Sequence, residues 1–125
     1  MISLPKVINE AWEHKEGPSI FTTVDETGIP NSVYVSCIQK NSESSFMIAD
    51  NFFSKTRHNI CIGKKVSILF ITKNNKAYQL KGTATRYTSG IPFETMKNWL
   101  DPKYPGKAAV VINVEEVYNG SERLA

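Results

Sequence analysis

The residues best suited to chemistry lie in one short segment, ADNFFSKTRHN, at positions 49–59. Ser54, Lys55 and Thr56 place two hydroxyl groups and an ammonium group at three consecutive positions, and Arg57 and His58 follow directly. The apolar run before this segment favours a β-strand, and the pattern after it favours a helix that begins near Ser54. Hydroxyls and cations therefore come together where a helix begins.

The start of a helix favours a bound anion, because its first amides lack intrahelical partners and the macrodipole places partial positive charge there. Lys55 opposes that dipole, and a bound dianion would remove the conflict. Ser54, Lys55 and Thr56, with Arg57 as a further donor, therefore predict a phosphate site. An alternative stays open, in which Ser54 caps the helix and the charged residues form its solvated face.

The rest of the sequence contains no recognisable catalytic motif. It has no glycine-rich phosphate loop and no serine in a nucleophile elbow, and His14 and His58 have no partners at metal-ligand spacing. Glu115 and Glu116 are adjacent, and a regular strand would direct them to opposite faces. We predict no catalytic residue and no metal site. A phosphate site without an acid, a base or a nucleophile favours a cofactor that carries the chemistry itself.

The elements that position this segment follow from hydrophobic patterning. Strands are predicted at residues 19–25, 31–40, 45–49, 64–73, 77–88 and 107–118, and Gly82 indicates a bulge or a close backbone approach. Helices are predicted at residues 3–17, with Ser3 as the cap, near Ser54, and at 91–101. Tight turns indicate antiparallel pairing. These elements predict a mainly β fold, a six-stranded antiparallel β-barrel with peripheral helices.

Length and composition restrict the remaining possibilities. The 125 residues suit a single domain, 1–125, in which 1–17 form the N-terminal helix and 119–125 a polar tail. The net charge of +3 is spread along the chain and does not indicate nucleic acid. Cys37 and Cys61 are expected to be free, buried thiols. Because no signal-peptide pattern or membrane-length apolar run is present, we expect a soluble cytoplasmic protein.

Four segments resemble the pyridoxamine 5'-phosphate oxidase-related FMN-binding proteins, and in particular the short FMN-binding split-barrel type. These segments are GIPNSVYVSCI, FMIADNFFSKTRHNI, YQLKGTA and KAAVVINVEEVY, and the resemblance covers residues 19–118. The pattern ADNF-x-x-KT-x-x-N is the most specific part, and PN-x-V-x-V is moderately specific. The resemblance implies a six-stranded split barrel, a homodimer, and one FMN per subunit in a cleft at the dimer interface.

The resemblance also implies which residues contact FMN. Lys55 and Thr56 would bind its phosphate, with help from Ser54. The flavin ring would lie along one strand and meet backbone groups at the end of another, through Val33, Tyr34, Val35, Ala49, Asp50 and Asn51. Gln79, with Lys81 beside it, would approach the cofactor from the partner subunit.

The function that the resemblance implies is that of an FMN-dependent oxidoreductase with an unidentified substrate. The chain ends in NGSERLA and lacks the C-terminal arginine–histidine segment with which the oxidase binds pyridoxal phosphate, so we do not expect pyridoxamine phosphate oxidation. Two other classes stay open. One is a non-catalytic carrier or electron-transfer protein that holds FMN or another flat ligand of tetrapyrrole type. The other is a nucleic-acid-binding barrel on which exposed aromatic residues stack bases.

Overall fold

The computed structural model describes residues 2–125, which form one antiparallel sheet with three helices outside it. The helices within this range are α1 (Lys6–Glu13), α2 (Lys55–Cys61) and α3 (Gly90–Trp99). The strands are β1 (Ser19–Val24), β2 (Pro30–Val35), β3 (Ile38–Ser42), β4 (Ser45–Asp50), β5 (Val66–Ile71), β6 (Ala77–Tyr87), β7 (Ala108–Asn119) and β8 (Glu122–Arg123).

The sheet curls into a barrel that stays open along one seam. Its strand order is β2-β1-β5-β6-β7-β4-β3, and the short β8 pairs with β7. Within residues 2–125 the end strands β2 and β3 do not pair with each other, so the seam lies between them. The predicted mainly β split barrel with peripheral helices is therefore confirmed. The strand number differs, because seven strands rather than six form the curled sheet.

The extra strand comes from a break in the segment predicted as one strand at residues 31–40. The chain turns at Ser36 and Cys37, where the N–H of Ile38 donates to the carbonyl of Ser36 at 3.0 Å. β2 pairs with β1, whereas β3 pairs with β4 on the far side of the seam. The turn also rotates Ile38 into the core, instead of leaving it on the face that carries Tyr34. Alternation in the sequence continues across this break and gives no sign of it.

The bulge predicted from Gly82 is present. The register between β6 and β7 shifts at Lys81 and Gly82, and a Cβ atom at Gly82 would lie 1.9 Å from the carbonyl oxygen of Asn113. The shift overturns the expectation that Glu115 and Glu116 lie on opposite faces. Both glutamates line one cavity on the outer surface, because the extra residue in β7 resets the alternation.

The helices begin close to the predicted positions but without the predicted caps. Pro5 rather than Ser3 precedes the first residue of α1, and no side chain caps that helix. Ser54 precedes α2 as expected, yet its hydroxyl makes no capping hydrogen bond. The alternative interpretation, in which Ser54 caps α2, is therefore wrong.

None of the helices within residues 2–125 is long and apolar enough to cross a membrane.

Two apolar clusters form the core. The larger cluster fills the barrel and includes the buried residues of α1. The smaller cluster lies between α3 and strands β4 and β7. Met96 and Leu100 are buried in the smaller cluster, and Phe93 and Trp99 pack beside them. Within the predicted polar tail, residues 119–125, the exposed Glu122 and Arg123 form β8, and the N–H of Leu124 donates to the carbonyl of Val117 at 2.8 Å.

Candidate functional site

A cleft opens at the seam of the barrel, beside β2. Its volume is about 320 Å³, and its walls come from β2, the turn after it, the end of β4 and the α3–β7 loop. The lining residues are Val33, Tyr34, Val35, Ser36, Cys37, Ala49, Asn51, Phe52, Phe53 and Tyr104. Every residue predicted to contact the flavin ring is among them, with the exception of Asp50.

The free side of β2 supplies backbone groups to this cleft. β2 pairs with β1 from Pro30 to Val35, and within residues 2–125 no strand pairs with its other side. Alternate residues of an antiparallel strand direct their N–H and C=O groups away from the partner strand. An edge strand therefore presents a row of unpaired donors and acceptors. Such a row suits a flat heterocycle that carries donors and acceptors along its own edge.

Asp50 lies beneath the cleft, where its carboxylate is 1% exposed. One carboxylate oxygen, Oδ2, contacts Nε and Nη2 of Arg86, each at 3.0 Å. The other, Oδ1, accepts a hydrogen bond from the backbone N–H of Phe53 at 3.0 Å. The Asp50 side chain therefore fixes the turn after β4 and is not available to a ligand, which leaves only its backbone for the predicted contact.

The α3–β7 loop, residues 100–107, is hydrogen-bonded to the turn that follows β4. The backbone N–H of Gly106 donates to Oδ1 of Asn51 at 3.0 Å, and the N–H of Lys107 donates to the carbonyl of Asp50 at 2.8 Å. These two bonds hold Tyr104 at the wall of the cleft. The loop and the turn therefore form one side of the cleft together.

A second cavity, of about 380 Å³, lies at the start of α2 between that helix and the β1–β2 turn. Ser54 and Lys55 line it, together with Asn31. Thr56 lies beneath and is 2% exposed, and its Oγ1 accepts a hydrogen bond from Nδ2 of Asn31 at 3.0 Å. That bond leaves the Thr56 hydroxyl proton free to be donated. The three predicted phosphate-binding residues are thus consecutive here, with two at the surface and one buried.

The acidic groups of this second cavity are already engaged. Glu26 contacts Nε2 of His58 at 2.7 Å, and this hydrogen bond is the main reason that the pKa of Glu26 is lowered. Asp25 accepts hydrogen bonds from the N–H of Ile29 and from Thr27, which lower its pKa. Lys55, by contrast, forms no salt bridge within residues 2–125. Its ammonium therefore has no direct ion-pair partner, although the carboxylates of Asp25 and Glu26 line the same cavity.

Gln79 is separated from the other predicted residues within a single chain. With Lys81, it lines a cavity of about 270 Å³ on the outer face of β5, β6 and β7, beside Glu115 and Glu116. The Tyr118 hydroxyl donates to Glu116 at 2.6 Å, and this bond lowers the pKa of that carboxyl. Gln79 therefore reaches a cleft only if that cleft belongs to another copy of the chain, as the resemblance implied.

Several residues that line the two cavities, among them Asn31, Phe52 and Tyr104, are absent from the sequence-based prediction. Asn31 stands in the segment PN-x-V-x-V, so that motif carried a signal for it. Phe52 lies inside the predicted segment, but its exposed position at the cleft depends on the turn after β4. Tyr104 reaches the cleft only because its loop folds back onto β4, and no local pattern indicates that contact. Within residues 2–125 no group of three or more metal-ligating side chains is present.

The fold is that of a split antiparallel barrel, with a cleft along its seam and a second cavity at the start of a short helix. The family model described as pyridoxamine 5'-phosphate oxidase matches residues 4–120 of this chain. The chain therefore belongs to the pyridoxamine 5'-phosphate oxidase family, and the resemblance found in its motifs is confirmed.

Individual proteins share sequence or fold with this chain. The chain is 32% identical over 123 residues to the uncharacterised protein MJ0282 of Methanocaldococcus jannaschii. The aligned region covers 94% of this chain and 83% of that protein. The crystal structure of HupZ from Group A Streptococcus superposes with a TM-score of 0.84 at 26% identity, covering 98% of both chains. An FMN-binding protein of Syntrophomonas wolfei shares the fold, with a TM-score of 0.75 at 19% identity over 92% of this chain and 82% of that one.

Proposed function

We propose that this protein binds FMN along the seam of its barrel and acts as a flavin-dependent oxidoreductase. One observation carries the proposal: β2 connects the two cavities. Asn31, beside Lys55 and Thr56, and Val33, in the seam cleft, share one face of β2, because side chains two positions apart point the same way. Two residues of a strand span roughly 7 Å. A ligand with a phosphate at one end and a ring at the other suits this spacing.

The residues present fit each part of FMN. Val33 and Val35 offer an apolar wall to one face of the ring, and the free edge of β2 offers backbone donors and acceptors to its polar edge. At the other end, Lys55 provides an ammonium group without a direct salt bridge, and the hydroxyls of Ser54 and Thr56 are free to donate. When bound, FMN supplies one- and two-electron transfer. The chain's own residues bind the phosphate, orient the ring and exclude water from one of its faces.

A homodimer belongs to this proposal. Leu69 and Ile71 leave 38% and 42% of their surface exposed on the outer face of β5, next to Ile20 on β1 and Gln79 on β6. A second copy placed against this face would bury those side chains, and it would bring Gln79 toward the partner's cleft. β7 offers little apolar surface to a second copy, since most of its apolar residues are buried within the chain. A cytoplasmic location stays a prediction.

The alternative is a carrier that holds FMN, or another flat ligand of tetrapyrrole type, without turnover. The absence of a predicted acid or base does not separate the two, because a bound flavin needs few protein groups to react. The holoprotein should oxidise NADH or NADPH under steady-state conditions if it is an enzyme. Stoichiometric reduction without turnover would identify a carrier, and a haem spectrum in the purified protein would indicate the tetrapyrrole.

The test begins with the visible spectrum of the purified protein, which should show flavin that is released as FMN on denaturation. Lys55→Ala should weaken FMN binding by about 1.5–3 kcal/mol, because it removes a charge-assisted contact. Lys64→Ala is the matched control, since Lys64 is exposed shortly after α2 and lines neither cavity. A colourless protein that cannot be reconstituted with FMN would refute the proposal. Equal affinity of Lys55→Ala and the unaltered protein would refute the phosphate assignment alone.

A further inference from the structure

A separate cavity of about 320 Å³ lies between α1 and the β5–β6 turn, residues 72–76. It shares no lining residue with the seam cleft or with the cavity at the start of α2. Backbone bonds hold its two walls together, because the N–H of Glu16 donates to the carbonyl of Ile71 at 2.8 Å and the N–H of Lys73 donates to that of His14 at 3.0 Å. The volume is at the lower end of the range for small-molecule sites.

Tyr78 forms the base of this cavity. It is 3% exposed, and its ring packs against that of Phe70 with the centroids 5.6 Å apart. Within residues 2–125 its hydroxyl has no hydrogen-bond partner. A hydroxyl this deeply placed normally has one, so the base of the cavity offers a donor and an acceptor to a polar group that enters it.

Charges of opposite sign line the cavity from its two walls. α1 contributes Glu10, and the β5–β6 turn contributes Lys73 and Lys76. Across the described residues neither of these lysines forms a salt bridge, and Glu10 contacts only Lys6, at 3.6 Å. Because both members of that pair are well exposed, it contributes little. The acidic wall and the basic wall therefore do not neutralise each other.

The shape of the turn is fixed by its own hydrogen bonds. The Thr72 hydroxyl donates to Oδ1 of Asn74 and accepts the N–H of Lys76 at 3.1 Å. Asn75 takes the left-handed conformation that the turn needs, with φ of 64°. Since Oδ1 of Asn74 is engaged, its Nδ2 group remains as a further donor on the basic wall.

The acidic wall also has an apolar part. Val7 and Ala11 line the cavity and lie four residues apart on α1, so they share a face of the helix. Val7 leaves 40% of its surface exposed, which is surface that a bound aliphatic group would remove from water.

We propose that this cavity is a second ligand site, which binds a free α-amino acid with a small aliphatic side chain. The carboxylate would meet Lys73 and Lys76, and the ammonium would meet Glu10. The side chain would cover Val7, and a polar group of the ligand would partner the hydroxyl of Tyr78. A simple anion or cation would satisfy one wall and be repelled by the other, whereas a zwitterion complements both. The site is independent of the proposed FMN site.

The test compares L-leucine with two analogues that each lack one charge. N-acetyl-L-leucine has no ammonium, and L-leucinamide has no carboxylate. Each compound is titrated into the full-length ¹⁵N-labelled protein and followed by amide chemical shifts. L-leucine should shift the amides of α1 and of the β5–β6 turn. It should bind about threefold more tightly than either analogue, because an exposed ion pair contributes modestly.

Variants assign each charge to its wall. Glu10→Gln should weaken L-leucine by about threefold but should not weaken N-acetyl-L-leucine, which has no ammonium to lose a contact. Lys73→Gln/Lys76→Gln should weaken L-leucine in the same way and spare L-leucinamide. The controls are Glu13→Gln, exposed on the same helix, and Lys64→Gln, exposed after α2; neither residue lines the cavity, and neither change should alter binding.

Tyr78→Phe keeps the buried ring and removes only the hydroxyl, so it should weaken L-leucine by about threefold. Three results would overturn the inference: no amide shifts at these walls with L-leucine at about 20 mM, equal affinity of all three compounds, or equal weakening of all three by the Glu10 and lysine variants. None of these results bears on FMN binding, which is measured separately by flavin fluorescence.

Discussion

The buried pair between Asp50 and Arg86 should be the most sensitive polar contact beneath the cleft. The Arg86 side chain is 12% exposed and that of Asp50 is 1% exposed, so both charges are largely removed from water. Arg86→Met keeps most of the side-chain stem but removes two N–H contacts of 3.0 Å to Oδ2. The carboxylate then keeps only the N–H of Phe53. Leaving a buried charge uncompensated costs about 3–5 kcal/mol.

Urea unfolding at neutral pH measures this loss. With a denaturant slope of about 1–3 kcal/mol per molar, we expect the midpoint to fall by about 2 M without a change in slope. The double variant Asp50→Asn/Arg86→Met removes both charges, and it should be less destabilised than the sum of the two single variants. Lys65→Met, which breaks the exposed pair with Glu115, is the control and should cost less than about 1 kcal/mol. A loss below about 1 kcal/mol in Arg86→Met would show that the pair does not hold the turn.

Two further predictions concern other parts of the fold. Gly82→Ala should destabilise the barrel by at least about 1–3 kcal/mol in the same urea assay, because its Cβ would lie 1.9 Å from a β7 carbonyl oxygen. Thr83→Ala is its neighbouring control, and equal stability of the two variants would contradict the close approach. His58→Ala should raise the pKa of Glu26 toward its ordinary value of 4.5, as followed by NMR titration. Because that pKa is depressed in the folded state, the contact stabilises the protein above about pH 4.5 and the benefit disappears on acidification. An unchanged Glu26 titration would show that His58 does not cause the shift.

Much of the fold could be predicted because its signals are local. Alternating apolar residues indicate strands, and the same patterning places α1, α2 and α3 within a few residues of their observed positions. Gly82 indicated the bulge, because only a residue without a Cβ atom fits where the backbones of two strands approach this closely. The segment around Lys55 and Thr56 was identifiable for a similar reason, since charge and hydroxyl groups at a helix start are unusual within a few consecutive positions.

Other features depended on pairing between distant parts of the chain. The chain breaks at Ser36 and Cys37 because β2 pairs with β1, whereas β3 pairs with β4 on the other side of the seam. Alternation of apolar and polar residues does not show which strand will be the hydrogen-bonded neighbour. The common face of Glu115 and Glu116 likewise follows from the register with β6.

The sequence by itself thus determined most of the strands, the approximate positions of the helices, and the segment of cations and hydroxyls that predicts a phosphate site. Only the tertiary structure decided that Asn31 would bind Thr56, that Arg86 would neutralise Asp50, and that one edge of β2 would remain unpaired. The physical reason is that propensity and periodicity act over a few residues. The contacts that shape the cleft join segments far apart in the chain, and they form only when the whole sheet has closed around its core.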